Sequence, residues 1–217
     1  GDPGTLADPG ATTILFNQTF GVSRFQARGY YGGHYGANND NHYDLFSASG
    51  MNFIVVYMEF APSASPLRTD ELNWANAVIQ AHSNRRAIVV SHYILEPQST
   101  FGNQGQAIYN ALKGNPNLFL MLSGHLGEAA QRIDTFGGNT IRTLLSDYQF
   151  LPNGGNGWLR ILTFKPSQNM IDVRTYSPTL NQFRTDAKNQ FTLSYPMLSN
   201  PFSLIDGASG VPSGSSA

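Results

Sequence analysis

The stretches AIVVSHYIL (Ala87–Leu95) and LFLMLSGHLGE (Leu118–Glu128) decide the fold of this chain. Both begin with a run of apolar side chains that shows no polar alternation, which is typical of a strand buried on both faces. Both then pass through small residues to a histidine, His92 in the first stretch and His125 in the second. Because ligands bind at the carboxyl ends of parallel strands, we expect the two histidines to lie at one edge of a sheet.

The segments around these stretches alternate between strand and helix patterns. Met51–Phe60 is a third apolar run and predicts a buried strand. Residues 69–83 and 103–117 carry apolar side chains at helical spacing, and Gly114 and Pro116 predict the end of the second helix. Strand, helix, strand, helix, strand is the order of parallel βαβ units.

Beyond Gly124 the pattern changes to shorter and partly alternating runs, which predict antiparallel strands. These runs occupy residues 140–148, 157–166, 169–178 and 190–197. The segment KPSQN separates the middle two and predicts a hairpin of Trp158–Phe164 with Met170–Ser177. We therefore expect a mixed α/β fold in which a parallel βαβ portion is followed by antiparallel strands.

Composition divides the chain into three parts. Residues 14–198 carry the strand and helix patterns and predict one domain. Residues 1–13 are rich in Gly, Pro, Asp and Thr and predict an irregular lead-in. Residues 199–217 are rich in Gly, Ser and Pro and predict a linker or tail.

The net charge and the amino-acid composition exclude several classes of binding partner for this protein. Charged residues make up 12% of the chain and the formal net charge is −1, with no basic patch, which argues against nucleic acid and against a membrane surface. No apolar run is long enough to span a membrane. Cysteine is absent, which excludes disulfides and thiol chemistry. A composition rich in Asn, Gly and Tyr, with three lysines among 13 basic residues, predicts a secreted or periplasmic bacterial protein.

His92 and His125 have two interpretations. Each ring could simply be hydrogen bonded to a neighbouring backbone carbonyl. A pair of histidines at equivalent strand ends instead favours a shared metal ion, because neutral imidazole is the commonest protein ligand of metals.

The order VVSHY followed by LMLSGH resembles the calcineurin-like metallophosphoesterases. The segment Phe16–Phe60 and the strands around LLSDYQ and RTYSP are also similar to bacterial members, so the resemblance covers most of Phe16–Met197. It implies a β-sandwich with flanking helices, metal-dependent hydrolysis of phosphoesters, and divalent metal (Mn, Fe or Zn) as cofactor. By the same resemblance, His92 matches the isolated histidine ligand of the family and His125 matches the first histidine of its GHxH motif.

The chain departs from the family pattern in two places. Gly127 stands where the GHxH motif has its second histidine. Resemblance to some secreted members implies that Glu128 is the replacement ligand, and the alternative is that its side chain simply faces water. The DxH, GD and GNH motifs, which supply further ligands and the catalytic histidine, do not precede Phe16. The chain therefore resembles the C-terminal part of such a domain. We expect one metal ion or none, and impaired or lost hydrolysis, because displacement at phosphorus needs two cations held close together.

The segment Tyr30–Asp44 contains three further candidate residues, His34, Tyr35 and His42. The resemblance places this loop near the catalytic cleft, so we interpret them as contacts to a small-molecule or polymer substrate. Two alternatives stay open: an independent metal site through His34 and His42, or a turn-rich loop packed by its own aromatic rings. Asp147 could orient a metal-bound histidine, or it could cap a turn.

Two functions other than phosphoester hydrolysis also fit the sequence. One is a mononuclear metal site with redox chemistry through His92, His125 and one loop histidine. The other is a non-catalytic module that binds extracellular polysaccharide through aromatic side chains. The candidates for that platform are Tyr30, Tyr31, Tyr35, Trp158 and Tyr176.

Three structural expectations complete the sequence analysis. Without the strands that pair beside them in the family, the parallel strands would expose an apolar edge. We therefore expect either a homodimer through that edge or its coverage by Gly1–Phe20. Arg85 and Arg86 precede a strand and predict a solvated turn, and His82 lies among apolar helix positions and predicts a packed ring.

Overall fold

The computed structural model describes residues 13–60 and 69–197. The predicted lead-in, apart from residue 13, and the predicted tail at 199–217 lie outside the described residues. Among the described residues, no helix is long and apolar enough to cross a membrane.

The helices are α1 (Ile14–Phe20), α2 (Val22–Phe25), α3 (Thr69–Ala81), α4 (Asn103–Leu112) and the single turn α5 (Pro152–Gly155). The strands are β1 (Tyr31–His34), β2 (His42–Ala48), β3 (Met51–Met58), β4 (Arg86–Ser91), β5 (Leu118–Ser123), β6 (Glu128–Phe136), β7 (Asn139–Asp147), β8 (Leu159–Lys165), β9 (Met170–Ser177), β10 (Gln182–Arg184) and β11 (Phe191–Ser194).

Seven strands form one mixed sheet in the order β1-β2-β3-β4-β5-β7-β6. β3, β4, β5 and β7 run parallel, whereas β2 and β6 are antiparallel to the strands beside them. α3 connects β3 to β4 and α4 connects β4 to β5, as βαβ units require. In a second, antiparallel sheet, β9 pairs with β8, β10 and β11. The predicted mixed α/β fold is confirmed, including the β8–β9 hairpin.

The central strands of the seven-stranded sheet are buried on both faces. On one face Ile54, Val89 and Met121 belong to a core that also contains Ile79 of α3 and Ile108 of α4. The opposite face packs against the second sheet, and its core contains Phe53, Val55, Phe119, Leu144, Ile171, Val173 and Leu193. Burial on both faces explains why the parallel strands are continuous apolar runs rather than alternating ones.

Sequence patterns did not predict the strands β1 and β2. β2 pairs with β3 along its whole length, from His42 opposite Tyr57 to Ala48 opposite Met51. The parallel strand β3 is therefore an inner strand, and β2 rather than Gly1–Phe20 pairs with it. The edges of this sheet are the short strand β1 and β6. A homodimer through one of them stays a prediction.

β6 is the third strand that the patterns missed. It forms a hairpin with β7, and Gly137 and Gly138 at the turn have φ angles of 57° and 83°. Positive φ at both positions is what a two-residue hairpin turn of matching twist requires, and glycine adopts it without strain. Charged and polar side chains interrupt the apolar pattern of β6. The feature of the sequence that indicated a hairpin here was the glycine pair at its turn.

The two expectations for the α3–β4 connection had different outcomes. His82 packs its ring at 5.2 Å from that of Tyr43, so the prediction of a packed histidine is confirmed. Arg86 has 0% of its surface exposed, and its guanidinium donates from Nη2 to the carbonyl oxygen of Met197 at 2.8 Å. The prediction of a solvated turn was therefore wrong for Arg86, because β4 begins at this residue and directs its side chain into the core.

Candidate functional site

The candidate residues lie along one edge of the seven-stranded sheet, the edge formed by the ends of its strands rather than by its outer strands. The parallel strands β3, β4, β5 and β7 end there, and the antiparallel strands β2 and β6 begin there. Because neighbouring strands are about 4.8 Å apart, the edge from β1 to β7 spans about 24 Å. The candidates brought to this edge are His34, His42, His92, His125, Glu128 and Asp147.

His92 and His125 meet where β4 and β5 end. Nε2 of His92 lies 2.8 Å from Nδ1 of His125, within hydrogen-bond distance, so one ring nitrogen donates and the other accepts. The ring of Phe60 packs against both histidines, with centroid separations of 5.2 and 5.4 Å. The backbone also joins the two strand ends, because the amide of Gly124 donates to the carbonyl oxygen of His92 at 3.1 Å. The predicted meeting of the two histidines at one sheet edge is confirmed.

The geometry of this pair fits two ligands of one cation. Metal–nitrogen distances of about 2.0–2.1 Å place two imidazole nitrogens about 3.3 Å apart on a tetrahedral ion. The observed separation of 2.8 Å therefore needs an opening of about half an ångström. Binding would also require both nitrogens to be unprotonated, so a metal ion would replace the proton that the rings share.

The loop after β5 carries backbone strain beside this pair. His125 has a φ of 73° and Glu128 has a φ of 115°, and both values lie in a region that non-glycine residues rarely adopt. Such conformations cost on the order of 1–3 kcal/mol each and concentrate at functional sites. The strain therefore favours a functional interpretation of the His125 loop.

Glu128 and Asp147 lie near the histidines without completing a metal site. They face each other in the register of β6 and β7. Glu128 is exposed, and the carboxylate of Asp147 accepts from the backbone and side-chain nitrogens of Gln149 at 3.0 and 3.1 Å, which is the turn-capping arrangement. Within residues 13–60 and 69–197, no group of three His, Asp or Glu side chains is placed to hold a metal ion.

The ring of Phe150 packs closely against Gly127. A Cβ atom at this position would stand 2.6 Å from Cδ2 of Phe150. A histidine at 127 would therefore require the exposed ring of Phe150 to move away.

Contacts that sequence reasoning missed support the end of β4. The buried amide of Gln104, in the first turn of α4, donates to Oγ of Ser91 at 2.8 Å and to the carbonyl oxygen of Glu59 at 3.1 Å. Oγ of Ser123 accepts from the amide of Leu95 at 3.3 Å. α4 and the two strand ends therefore form one connected unit behind the histidine pair. The small serines before the histidines were the sequence signal of this support.

A second histidine pair lies at the other end of the same edge. His34 and His42 are directly opposite each other in the register of β1 and β2. The ring of His42 stacks on Tyr57 at 4.5 Å, and the Tyr31 ring lies 6.2 Å from it on the same sheet face. Tyr35 instead donates its hydroxyl hydrogen to Asp70 at the start of α3. The predicted loop is thus two paired strands with a short connection.

Burial shifts the protonation of the acidic and basic groups beside this pair. Desolvation lowers the pKa of His42, and the charge of Asp44 opposes that shift only in part. Desolvation also raises the pKa of Asp44, whose Oδ1 is buried without a hydrogen-bond partner. Both shifts favour the neutral forms. The unpartnered buried oxygen and the raised pKa make Asp44 a candidate residue of a functional site.

Replacing Asp44 tests this assignment. Because the folded state holds the Asp44 proton more tightly than the unfolded chain does, the stability contributed by this group is largest below about pH 4 and is lost as the pH rises through the folded pKa. Asp44→Asn is expected to raise the free energy of unfolding by less than about 1 kcal/mol at pH 7, because solvent screens this partly exposed group, and to have little effect at pH 4. Urea denaturation at the two pH values measures both.

Asp40→Asn is the matched control, because the Oδ1 atom that accepts from Asn17 at 2.7 Å is retained in the amide. It should leave the free energy of unfolding within about 0.5 kcal/mol of wild type. A loss of stability in Asp44→Asn at pH 7 would contradict the assignment.

The aromatic residues proposed as a polysaccharide platform do not share one surface element. Tyr30, Tyr31 and Tyr35 lie in or beside β1 of the first sheet. Trp158 and Tyr176 lie beside β8 and in β9 of the second sheet. Polysaccharide binding stays an untested prediction.

Comparison with known proteins adds one relative. No family model matches this sequence. An uncharacterized protein of Bacillus subtilis (strain 168), YvnB, is similar to this chain, with 34% identity over 193 residues. The aligned region covers 82% of this chain and 14% of YvnB, so the chain spans about a seventh of the length of the relative.

Proposed function

We propose that this chain carries a metal-binding site of metallophosphoesterase type. His92 and His125 would be ligands of one divalent cation, with Mn²⁺, Fe²⁺ or Zn²⁺ as the ions that suit imidazole together with oxygen ligands. The observation that carries the proposal is the 2.8 Å approach of their ring nitrogens at the ends of two adjacent parallel strands. The resemblance of VVSHY and LMLSGH to the family, and the sandwich of a mixed sheet with a second sheet, support it.

Hydrolysis needs more than this pair supplies. Two cations must clamp the attacking and leaving oxygens, and they are commonly bridged by a carboxylate. In the part of the chain that the structure describes, neither Glu128 nor Asp147 is placed to join the histidines around a metal ion. We therefore propose that the described residues bind metal at this site but support the hydrolysis of phosphoesters weakly or not at all. The low lysine content supports a secreted or periplasmic location.

Metal content tests the site directly. Wild type, His92→Ala and His125→Ala are loaded with Mn²⁺ or Zn²⁺, desalted, and measured for metal per chain by plasma mass spectrometry. Each alanine variant is expected to lose one equivalent relative to wild type, because a single histidine retains a divalent ion poorly. His82→Ala is the matched control, since His82 precedes β4 whereas His92 follows it, and the His82 ring packs on Tyr43.

Hydrolysis of bis(p-nitrophenyl) phosphate with the same preparations tests the activity. Wild type and His92→Ala are expected to be equal and close to the rate of buffer with metal. Equal metal content in wild type and His92→Ala would overturn the metal site. Metal-dependent hydrolysis that disappears in His92→Ala would overturn the proposed incompleteness of the centre.

A further inference from the structure

Hydrogen bonds determine which nitrogen of His34 carries its proton. Asn39 is buried, and its side-chain Nδ2 donates to the carbonyl oxygen of Phe20 at 2.8 Å, so its Oδ1 is the acceptor end. That oxygen accepts the hydroxyl hydrogen of Tyr31 at 2.7 Å. The Tyr31 hydroxyl has one hydrogen and has donated it, so its 3.0 Å contact with His34 must be donated by Nδ1–H of the imidazole.

The same asparagine determines the tautomer of His42. Nδ1 of His42 lies 2.8 Å from the backbone carbonyl oxygen of Asn39, and a carbonyl can only accept. His42 therefore also carries its proton on Nδ1 when neutral. In both rings the available lone pair is on Nε2.

This arrangement is the one that metal-binding histidines adopt. A histidine that ligates a metal through one nitrogen usually donates the other N–H to a carbonyl, carboxylate or similar acceptor, which holds the ring and its tautomer in place. Here Asn39 supplies this acceptor to His42 directly and to His34 through Tyr31.

The two rings are also placed to act together. Residues directly opposite in an antiparallel pair have Cβ atoms about 4.5–5.5 Å apart on one face of the sheet. His34 and His42 form such a pair, and Asp44, two residues further along β2, lies on the same face. The buried Oδ1 of Asp44 has no hydrogen-bond partner, so this face also carries an unpartnered oxygen beside the two rings.

We propose that His34 and His42 form a second metal site, which binds one divalent first-row cation such as Zn²⁺ through Nε2 of both imidazoles. Water completes the coordination, and Asn39 is the positioning residue. The site is distinct from the His92–His125 pair, because β3 separates β2 from β4, so that the midpoints of the two pairs are three strand spacings, or about 14 Å, apart. Two neutral nitrogen ligands suit Zn²⁺ better than Mg²⁺ or Ca²⁺, which prefer oxygen.

Zinc titration followed by NMR of the histidine rings tests this site. The full chain with His92→Ala and His125→Ala is labelled with ¹⁵N, and long-range ¹H–¹⁵N spectra are recorded with and without Zn²⁺. Before zinc, His34 and His42 are expected to show the Nδ1–H tautomer. On addition of Zn²⁺, the Nε2 resonances of both rings should shift together with one binding constant.

Affinity measurements in the same background give the matched comparison. His34→Asn and His42→Asn are each expected to weaken zinc binding at least tenfold. His82→Asn should not change it, although Nδ1 of His82 also donates to a backbone carbonyl, that of Val78 at 2.8 Å. This control separates a cross-strand pair from a single histidine with a fixed tautomer.

Several results would overturn the second site: an Nε2–H tautomer in either ring, zinc shifts in only one of the two rings, or unchanged zinc affinity in His42→Asn. If the double alanine background does not fold, as judged by circular dichroism, the same spectra of wild type decide the question, because each histidine is observed separately. Loss of zinc binding at His92 and His125 alone would count against the proposed function and leave this second site standing.

Discussion

Gly105→Ala is expected to destabilise the protein by about 3 kcal/mol or more. A Cβ atom at position 105 would stand 1.9 Å from the carbonyl oxygen of Ile94 and 2.6 Å from its carbonyl carbon. These are backbone atoms, and the same oxygen accepts from the amide of Gly102, so it cannot turn aside like the end of a flexible side chain. The added methyl group must therefore push α4 away from the loop that follows β4. Urea denaturation measures the loss.

Gly114→Ala provides the control for this substitution. A Cβ atom at position 114 meets no heavy atom within 4 Å, so alanine should be neutral or slightly stabilising there. Because Ile94 follows His92 by two residues, Gly105→Ala should also weaken metal binding at His92 and His125. Gly114→Ala should leave metal binding unchanged. Equal urea midpoints for the two variants would show that α4 does not pack as closely as the structure has it.

Tyr195→Ala is expected to destabilise the protein by about 3–5 kcal/mol, as large aromatic truncations in cores do. Tyr195 is 5% exposed, and its ring stacks on Phe119 of the central strand β5 with centroids 4.1 Å apart. Arg86 and Arg142 bring their guanidinium carbons to 5.6 and 5.7 Å from the same ring. Truncation would remove an inter-sheet contact and leave two buried cations without the aromatic ring that they face.

Tyr195→Phe is the control because it keeps the ring. Burial raises the pKa of Tyr195 well above its usual value, so the hydroxyl is neutral in both the folded protein and the unfolded chain at pH 7. We expect the phenylalanine variant to lie within about 1 kcal/mol of wild type. Thermal unfolding monitored by near-ultraviolet circular dichroism compares the two. An alanine variant as stable as the phenylalanine variant would show that the ring does not hold the two sheets together.

The sequence by itself determined the central part of the fold. Strands such as Met51–Met58 and Leu118–Ser123 lie between two cores, so their burial produces apolar runs that can be read without any tertiary information. The position of a histidine after two such runs was also sufficient to place His92 and His125 at one sheet edge. These features depend on local pattern and on the general rule that parallel strands end together.

Only the tertiary structure decided what lies beside those strands. β2 is half exposed and carries His42 and Asp44, so its residues show no apolar run. This segment forms a strand because it pairs with β3, which its own sequence does not indicate. Arg86 looks like a surface residue in sequence but is buried, because Tyr195 and the carbonyl oxygen of Met197 reach it from more than a hundred residues away. The tautomers of His34 and His42 likewise depend on Asn39, whose amide is oriented by Phe20. Contacts between distant segments set these properties, and local pattern carries no information about them.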